Sequence, residues 1–302
     1  MTKLLKELKF LSALDKYPSI EGIGDDCFVS PFDEQHYQLI STDMLVEGNH
    51  FPFQEKQLDR VGLKAVTVNV SDILAKGGKP ESIFVSLALP EGFTEESFDN
   101  LYLGLNEACI YFNVKIRGGD ITSTKGPLVI NITIVGKVNK NNLAKRSGAK
   151  VGDNVYVTGK LGGASAHQYE IGPDYHTMLP VEKIDYIVNH IRVTSMTDIS
   201  DGLARSLFDI TKSSNVGVVI DEAEIPLAED AILENALNGG EDYQILFTAP
   251  TEYAGNLQKD FYYIGKITKE KATIVIKGPD KTERLLETFG YDHFNRIIKE
   301  KK

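Results

Sequence analysis

Tryptophan is absent from this 302-residue sequence, and cysteine occurs only twice, at Cys27 and Cys109. The two cysteines have no CxxC spacing and no histidine cluster nearby, which argues against a zinc site. They read as a reduced pair, with a single disulfide as the alternative, because the N-terminus does not resemble an export signal. MTKLLKELKFLSALDKY alternates Lys and Glu with Leu and Phe, and so predicts an amphipathic first helix. Long apolar runs are missing as well. Stretches such as Leu128 to Val135 are far too short to cross a bilayer, so the expectation is a cytoplasmic chain with no membrane partner. Positive charge is in deficit: 33 Lys and Arg stand against 43 Asp and Glu, a formal net charge of −10. That balance disfavours nucleic acid as a partner, since such binding needs a basic face. The Lys-rich end, IIKEKK, reads most simply as a solvated end.

Familiar nucleotide and nucleophile motifs are also lacking. There is no G-x-x-x-x-G-K-[ST] and therefore no P-loop. Gly22-Ile23-Gly24 continues into Asp25-Asp26-Cys27 instead of the rest of a dinucleotide fingerprint. Neither an HRD/DFG pair nor a G-x-S-x-G elbow is present.

What is present is an alternation of helix and strand signals in two halves. Strands are predicted at Tyr37–Ser41, Ser82–Leu89 and 128–138. A helix is predicted from Leu58 to Lys76, where Val61, Ala65, Val68 and Leu74 recur at helical spacing and Gly77-Gly78 supplies the stop. A second helix starts at the N-cap Thr94 and runs to about Asn113. Gly118-Gly119-Asp120 reads as a turn. Residues 139–153 are polar and turn-rich, which places a boundary between domains 1–138 and 139–302. Beyond it, strands are expected at 154–158, 217–220, 243–248, 262–267 and 273–276. Helices are expected after Gly162-Gly163 and over 201–213. The fold class is α/β (α+β) with two domains.

The most distinctive feature is a set of Asp residues beside Gly, Ser or Thr at predicted element ends: Asp25-Asp26, Ser41-Thr42-Asp43, Ser71-Asp72, Gly119-Asp120, Asp198 to Asp201, and Glu241-Asp242. Taken singly, each is a helix cap or a turn. Asp72 resists that reading, because it lies late in a predicted helix. Asp43 and Asp120 both follow β-rich segments and are expected to project from one sheet edge. Carboxylate and hydroxyl oxygens beside glycines suit hard Mg²⁺ and the close approach of phosphate, and divalent ions would let an acidic chain hold an anionic nucleotide.

These motifs, in this order, resemble the thiamine-monophosphate kinase family over nearly the whole chain. The segments that carry the resemblance are GIGDDC (22–27), ISTDMLVEGNHF (40–51), AVTVNVSDILAKGGKP (65–80), GGD (118–120), KRSGAKVGD (145–153), DISDGLARSL (198–207), GGEDYQILFT (239–248) and GYDHF (290–294). Some acidic turns are shared with a wider superfamily that includes aminoimidazole ribonucleotide synthetase, selenophosphate synthetase and the hydrogenase maturation protein.

The resemblance implies a mixed-sheet N-terminal domain forming a dimeric barrel and a C-terminal α/β domain beside it. The implied partners are ATP, thiamine monophosphate and a second copy of the chain, with several Mg²⁺ ions. Carried over position by position, Asp26, Ser41, Thr42, Asp43, Asp72, Asp120, Asp198 and Asp201 would bind metal. Gly119, Asp120, Arg146 and Ser200 would contact ATP. His50 and Glu241 would contact the acceptor, and Phe289 stands in for an aromatic that relatives stack on it. No general base is implied, because a phosphate acceptor is already largely ionised at neutral pH. The other readings are a different ATP-dependent enzyme of the superfamily and a Mg-nucleotide-binding dimer without turnover.

Overall fold

The computed structural model describes residues 6–53, 57–286, 290–291 and 294. Eight helices are described: α1 (Lys6–Ser12), α2 (Leu58–Ala75), α3 (Glu95–Tyr111), the single turn α4 (Gly163–Ala166), α5 (Val181–His190), α6 (Leu203–Ser214), α7 (Leu233–Asn238) and α8 (Ala254–Leu257). The first sheet contains β1 (Phe28–Pro31), β2 (His36–Val46), β3 (Lys79–Pro90), β4 (Lys115–Thr124) and β5 (Val129–Asn139) in the order β1-β2-β5-β3-β4. The second contains β6 (Asn154–Val157), β7 (Ser195–Asp198), β8 (Gly217–Asp221), β9 (Ile245–Ala249), β10 (Tyr262–Thr268), β11 (Ile274–Lys277) and β12 (Glu283–Leu285), in the order β12-β11-β8-β10-β6-β9-β7.

Alternation explains the first sheet. Ile130, Ile132 and Ile134 of β5 are buried, as are Ile83, Val85 and Leu87 of β3, and α2 and α3 cover that face. The opposite face is open. Thr42, Met44 and Phe84 all lie on it and are exposed. In the second sheet Val155 and Val157 point into a core shared with α6 and α7. Between them, Tyr156 points the other way and stacks on Phe247 at 5.4 Å. That second face continues into the core of the first sheet, so the two halves meet across apolar side chains.

Helix α2 sits at the junction and touches β2, β5, β7, α3 and α5. Nearly every residue from Leu58 to Ala75 is buried, the pattern of a central helix and not of a surface one. Close packing against α3 depends on Gly104, where an added Cβ would meet the Asp59 carbonyl oxygen at 1.6 Å. Thr94 caps α3 as expected, its hydroxyl accepting from the Ser97 N–H at 3.0 Å.

One expected strand is longer and one expected turn is a strand. The strand expected over Tyr37–Ser41 continues through Thr42-Asp43, paired without interruption to β5 from His36 to Val46. Gly118-Gly119-Asp120 lies inside β4, parallel to β3. There the glycines serve sheet packing, since a Cβ at Gly119 would meet the Val85 carbonyl oxygen at 1.8 Å. The strand expected over 243–248 begins only at Ile245, because Tyr243 is in the left-handed region at φ 47°.

Candidate functional site: an acidic cluster beside a buried lysine

The site is organised by the polar residues of α2. Eight residues separate Lys64 from Asp72, so the two stand roughly 12 Å apart along the helix axis. Lys64, Ser71 and Asp72 share one side of it, with Lys76 at its C-terminal cap.

At the C-terminal end, Asp26, Asp72 and Asp198 place carboxylate oxygens within 4.8 Å of one another. Asp26 comes from the segment before β1, Asp72 from the last turns of α2 and Asp198 from the end of β7. The Ser41 hydroxyl donates to Asp72, and the Ser71 hydroxyl donates to Asp198 at 2.7 Å. Asp43, two residues from Ser41 on the same face of β2, accepts a bond from the Asn131 side-chain amide on its carbonyl at 3.2 Å and donates its own N–H to Asn69 Oδ1 at 3.1 Å.

The carboxyls of this cluster differ in charge state for physical reasons. Burial opposes ionisation of Asp26, but Arg146 and Lys76 overcome it and hold that carboxyl below its ordinary range. Arg146 Nη2 lies 2.5 Å from Asp26 Oδ1, Lys76 Nζ lies 2.6 Å from Oδ2, and Thr197 donates to Oδ1 at 2.8 Å. Fully buried Lys76 also pairs with Asp25. Asp72 moves the other way. Burial and the negative charges of Asp43, Asp198 and Asp26 push it well above the usual carboxylate range, against the Ser41 hydrogen bond. Burial and Asp26 raise Asp198 to about 7, although Ser71 and Arg146 oppose this. Burial, Asp201 and Asp26 raise Asp43 to about 6. These carboxylates repel one another, as groups that share a cation do in its absence.

Hard divalent cations take carboxylate and hydroxyl oxygens, and among the described residues the cluster presents those donors and no nitrogen or sulfur ligand. Asp26, Asp72 and Asp198, with Ser41 and Asp43 beside them, therefore fit Mg²⁺.

At the other end of this stretch of α2, Lys64 is fully buried, and its Nζ lies 2.7 Å from both carboxylate oxygens of Glu241 and 2.8 Å from the His50 carbonyl oxygen. The two residues expected at the acceptor thus meet on one ammonium. Ser200 links the two ends. Its hydroxyl donates to Asp198 at 3.4 Å, and its carbonyl accepts the Glu241 N–H at 2.7 Å.

Not every expected residue gathers here. The Thr42 hydroxyl is on the open face of the first sheet, donating to the Ile132 carbonyl at 3.1 Å and bonded by Asn131 and Thr133. Gly119 and Asp120 lie on the edge strand β4, with Asp120 in register with Ser86, Asn131 and Met44. Asp120 and Asp43 do not share a sheet edge. They point to opposite faces and are three strands apart, roughly 14 Å. Asp201 lies 3.8 Å from Arg205, and its carbonyl accepts the Tyr291 N–H at 3.0 Å. Phe289 falls outside the described residues. Lys64 and Lys76 have no counterpart among the sequence-derived candidates, and Asp25 figures there only as part of the acidic pair with Asp26. The only signal for Lys64 was a lone charge in an otherwise apolar helical run.

Comparison with known proteins shows the family and the fold. The model of AIR synthase related protein, N-terminal domain, matches residues 24–138, and that of its C-terminal domain matches residues 150–293. The thiamine-monophosphate kinase of Bacillus subtilis is 30% identical, covering 90% of this chain and 93% of its own, and that of Pyrococcus horikoshii is 34% identical, covering 97% of each. The chain belongs to the thiamine-monophosphate kinase family. Among solved structures, AaThiL complexed with AMPPCP and TMP superposes with a TM-score of 0.80 at 31% identity, over 97% of this chain and all of that one. The Aquifex aeolicus thiamine monophosphate kinase gives 0.75 at 28% identity, over 91% of this chain and all of that one. A HypE–HypF complex at 21% identity, with a TM-score of 0.74 over 92% of this chain and 98% of that one, shares the fold.

Proposed function

We propose that the chain transfers a phosphoryl group from ATP to thiamine monophosphate, giving thiamine diphosphate, as a cytoplasmic enzyme. The observation that carries this reading is the pairing, along one buried helix, of a self-repelling carboxylate cluster with the Lys64–Glu241–His50 group. Family membership and the relative complexed with AMPPCP and TMP support it.

Asp26, Asp72 and Asp198, with Asp43 and Ser41, would hold Mg²⁺, and Asp201, Thr42 and Asp120 are further ligands in this reading. Bound there, Mg²⁺ supplies charge neutralisation and a template for in-line transfer between two anionic phosphates. Arg146, which presents a planar fork of donors beside the cluster, offers its guanidinium to phosphate oxygens of ATP. Ser200 and the Gly119-Asp120 backbone are the other ATP contacts. His50 and Glu241 orient the acceptor, and Phe289, outside the described residues, is the aromatic expected to contact it. No residue has to remove a proton, since the second phosphate ionisation lies near pH 6.

Asp120 and Thr42 enter this scheme through a homodimer. The open face of the first sheet carries exposed Phe28, Met44 and Phe84, and β4 leaves an unpaired edge. A second copy packed across that face, closing a barrel, would cover these groups and bring its Asp120 toward the first chain's strands. The N-terminal domain 1–138 would then supply metal, ATP and dimer contacts, and domain 139–302 would complete the nucleotide and acceptor sites.

The test is phosphoryl transfer by the purified protein with ATP and Mg²⁺. Thiamine diphosphate should form from thiamine monophosphate, with free thiamine a far poorer acceptor. A preference for free thiamine, or no transfer to either, would overturn the assignment.

A further inference from the structure

Lys64 is a lysine in the middle of a buried helix, fully covered and not part of the acidic cluster. A buried ammonium persists only where its donors are matched. It has three, and three acceptor atoms are in reach: both Glu241 oxygens at 2.7 Å and the His50 carbonyl at 2.8 Å. With its donors spent, Lys64 has nothing left to offer a substrate. Its influence passes through the two residues it holds.

Both need holding. Glu241 is in the left-handed region at φ 59°, a backbone state rare for a residue with a side chain. It is fixed from the backbone by Ser200 and from the side chain by Lys64. His50 closes the short turn after β2. Its N–H donates to the Val46 carbonyl at 2.9 Å, and its Nδ1 accepts from the Val46 N–H at 3.0 Å, which leaves Nε2 to carry the proton in the neutral ring. Lys64 ties that turn to Glu241, which lies 177 residues beyond Lys64 in the sequence. The ammonium also offsets the Glu241 charge, so this end of the site does not add net negative charge where an anionic acceptor must sit. The Tyr175 ring lies 5.9 Å from Lys64 Nζ, and its buried hydroxyl has no hydrogen-bond partner among the described residues. Such a group calls for a missing partner.

We infer that Lys64 is a positioning residue of the acceptor site, locking Glu241 and the His50 turn into one arrangement for a phosphate-bearing acceptor, with the Tyr175 hydroxyl as an additional donor to it. This rests on the reading of His50 and Glu241 as acceptor contacts.

The experiment is steady-state kinetics on wild type, Lys64→Met, Glu241→Gln and the double variant, with KM measured separately for thiamine monophosphate and Mg-ATP. Lys64→Met should raise KM for thiamine monophosphate by about tenfold while KM for Mg-ATP stays within about twofold, the scale of one charge-assisted hydrogen bond. The double variant, which leaves no uncompensated charge if Lys64→Met alone folds poorly, should bind the acceptor no worse than Glu241→Gln alone. Additive effects, or equal rises in both KM values, would mean that Lys64 is only structural. Tyr175→Phe should raise the acceptor KM alone; no change would remove Tyr175 from the site. A wild type that does not turn over thiamine monophosphate would overturn the functional reading itself, an outcome distinct from failure of the Lys64 assignment.

Discussion

Asp26 and Asp72 contribute oxygens to the same cluster, yet their carboxyls shift in opposite directions. Arg146 and Lys76 reach Asp26, whereas Asp72 has only a serine hydroxyl against three negative neighbours. The difference makes a prediction about pH. Asp43 and Asp198, raised to about 6 and about 7, keep protons in the folded protein that the unfolded chain loses near 3.8. Folding then takes up protons through that window, so their contribution is full in acid and is lost as pH rises. Asp26, lowered below 3.8, acts in the opposite sense but only below that value. The metal-free protein should therefore melt at a lower temperature at about pH 8 than at about pH 5, as measured in chelator. A melting temperature that rises over this range would contradict the shifts. Asp72 was legible in the sequence because an aspartate late in a helix is not a cap. Lys64 and Lys76 were not legible, because a lysine on a helix ordinarily marks a solvated face, and only the packing of β2 and the second sheet around α2 buries them.

Among the elements, α2 was readable from its apolar spacing and its Gly77-Gly78 stop, and β2 from Tyr37–Ser41 although it runs on past Asp43, while the segment that carries Asp120 reads as a turn and is a strand. Gly, Ser and Asp are turn residues by local preference. Here pairing to β5 and β3 overrides that preference, and the glycines of β4 admit a close neighbouring backbone. The same lesson applies to Gly104 on α3. In an exposed helix, Gly→Ala stabilises by about 1 kcal/mol. At position 104 the new Cβ would collide with the Asp59 carbonyl and force α2 away from α3. Gly104→Ala should thus destabilise by about 1–3 kcal/mol in denaturant unfolding. A neutral or stabilising change would show that the two helices are not in such close contact. Because α2 carries both ends of the site, the variant should also lose activity out of proportion to its stability.

For the whole molecule, the two-domain α/β architecture followed from alternating helix and strand signals and from the polar stretch 139–153. Strand order did not follow, and with it went the distance between Asp43 and Asp120, since nothing in a sequence says that two strands, β5 and β3, lie between them. If a second copy supplies the missing Asp120, the protein should sediment as a dimer at micromolar concentration; a stable monomer there would count against that arrangement. The acidic cluster is a site strained by its own charge until cations fill it. Thermal melts of wild type and Asp72→Asn, each with and without Mg-ATP, measure that strain. The variant should melt at or above the wild-type temperature without ligand, because repulsion among Asp26, Asp43, Asp72 and Asp198 is relieved, and should gain less from Mg-ATP. A variant that is less stable alone and gains as much from Mg-ATP as wild type would show that Asp72 is a structural carboxylate and would contradict the account.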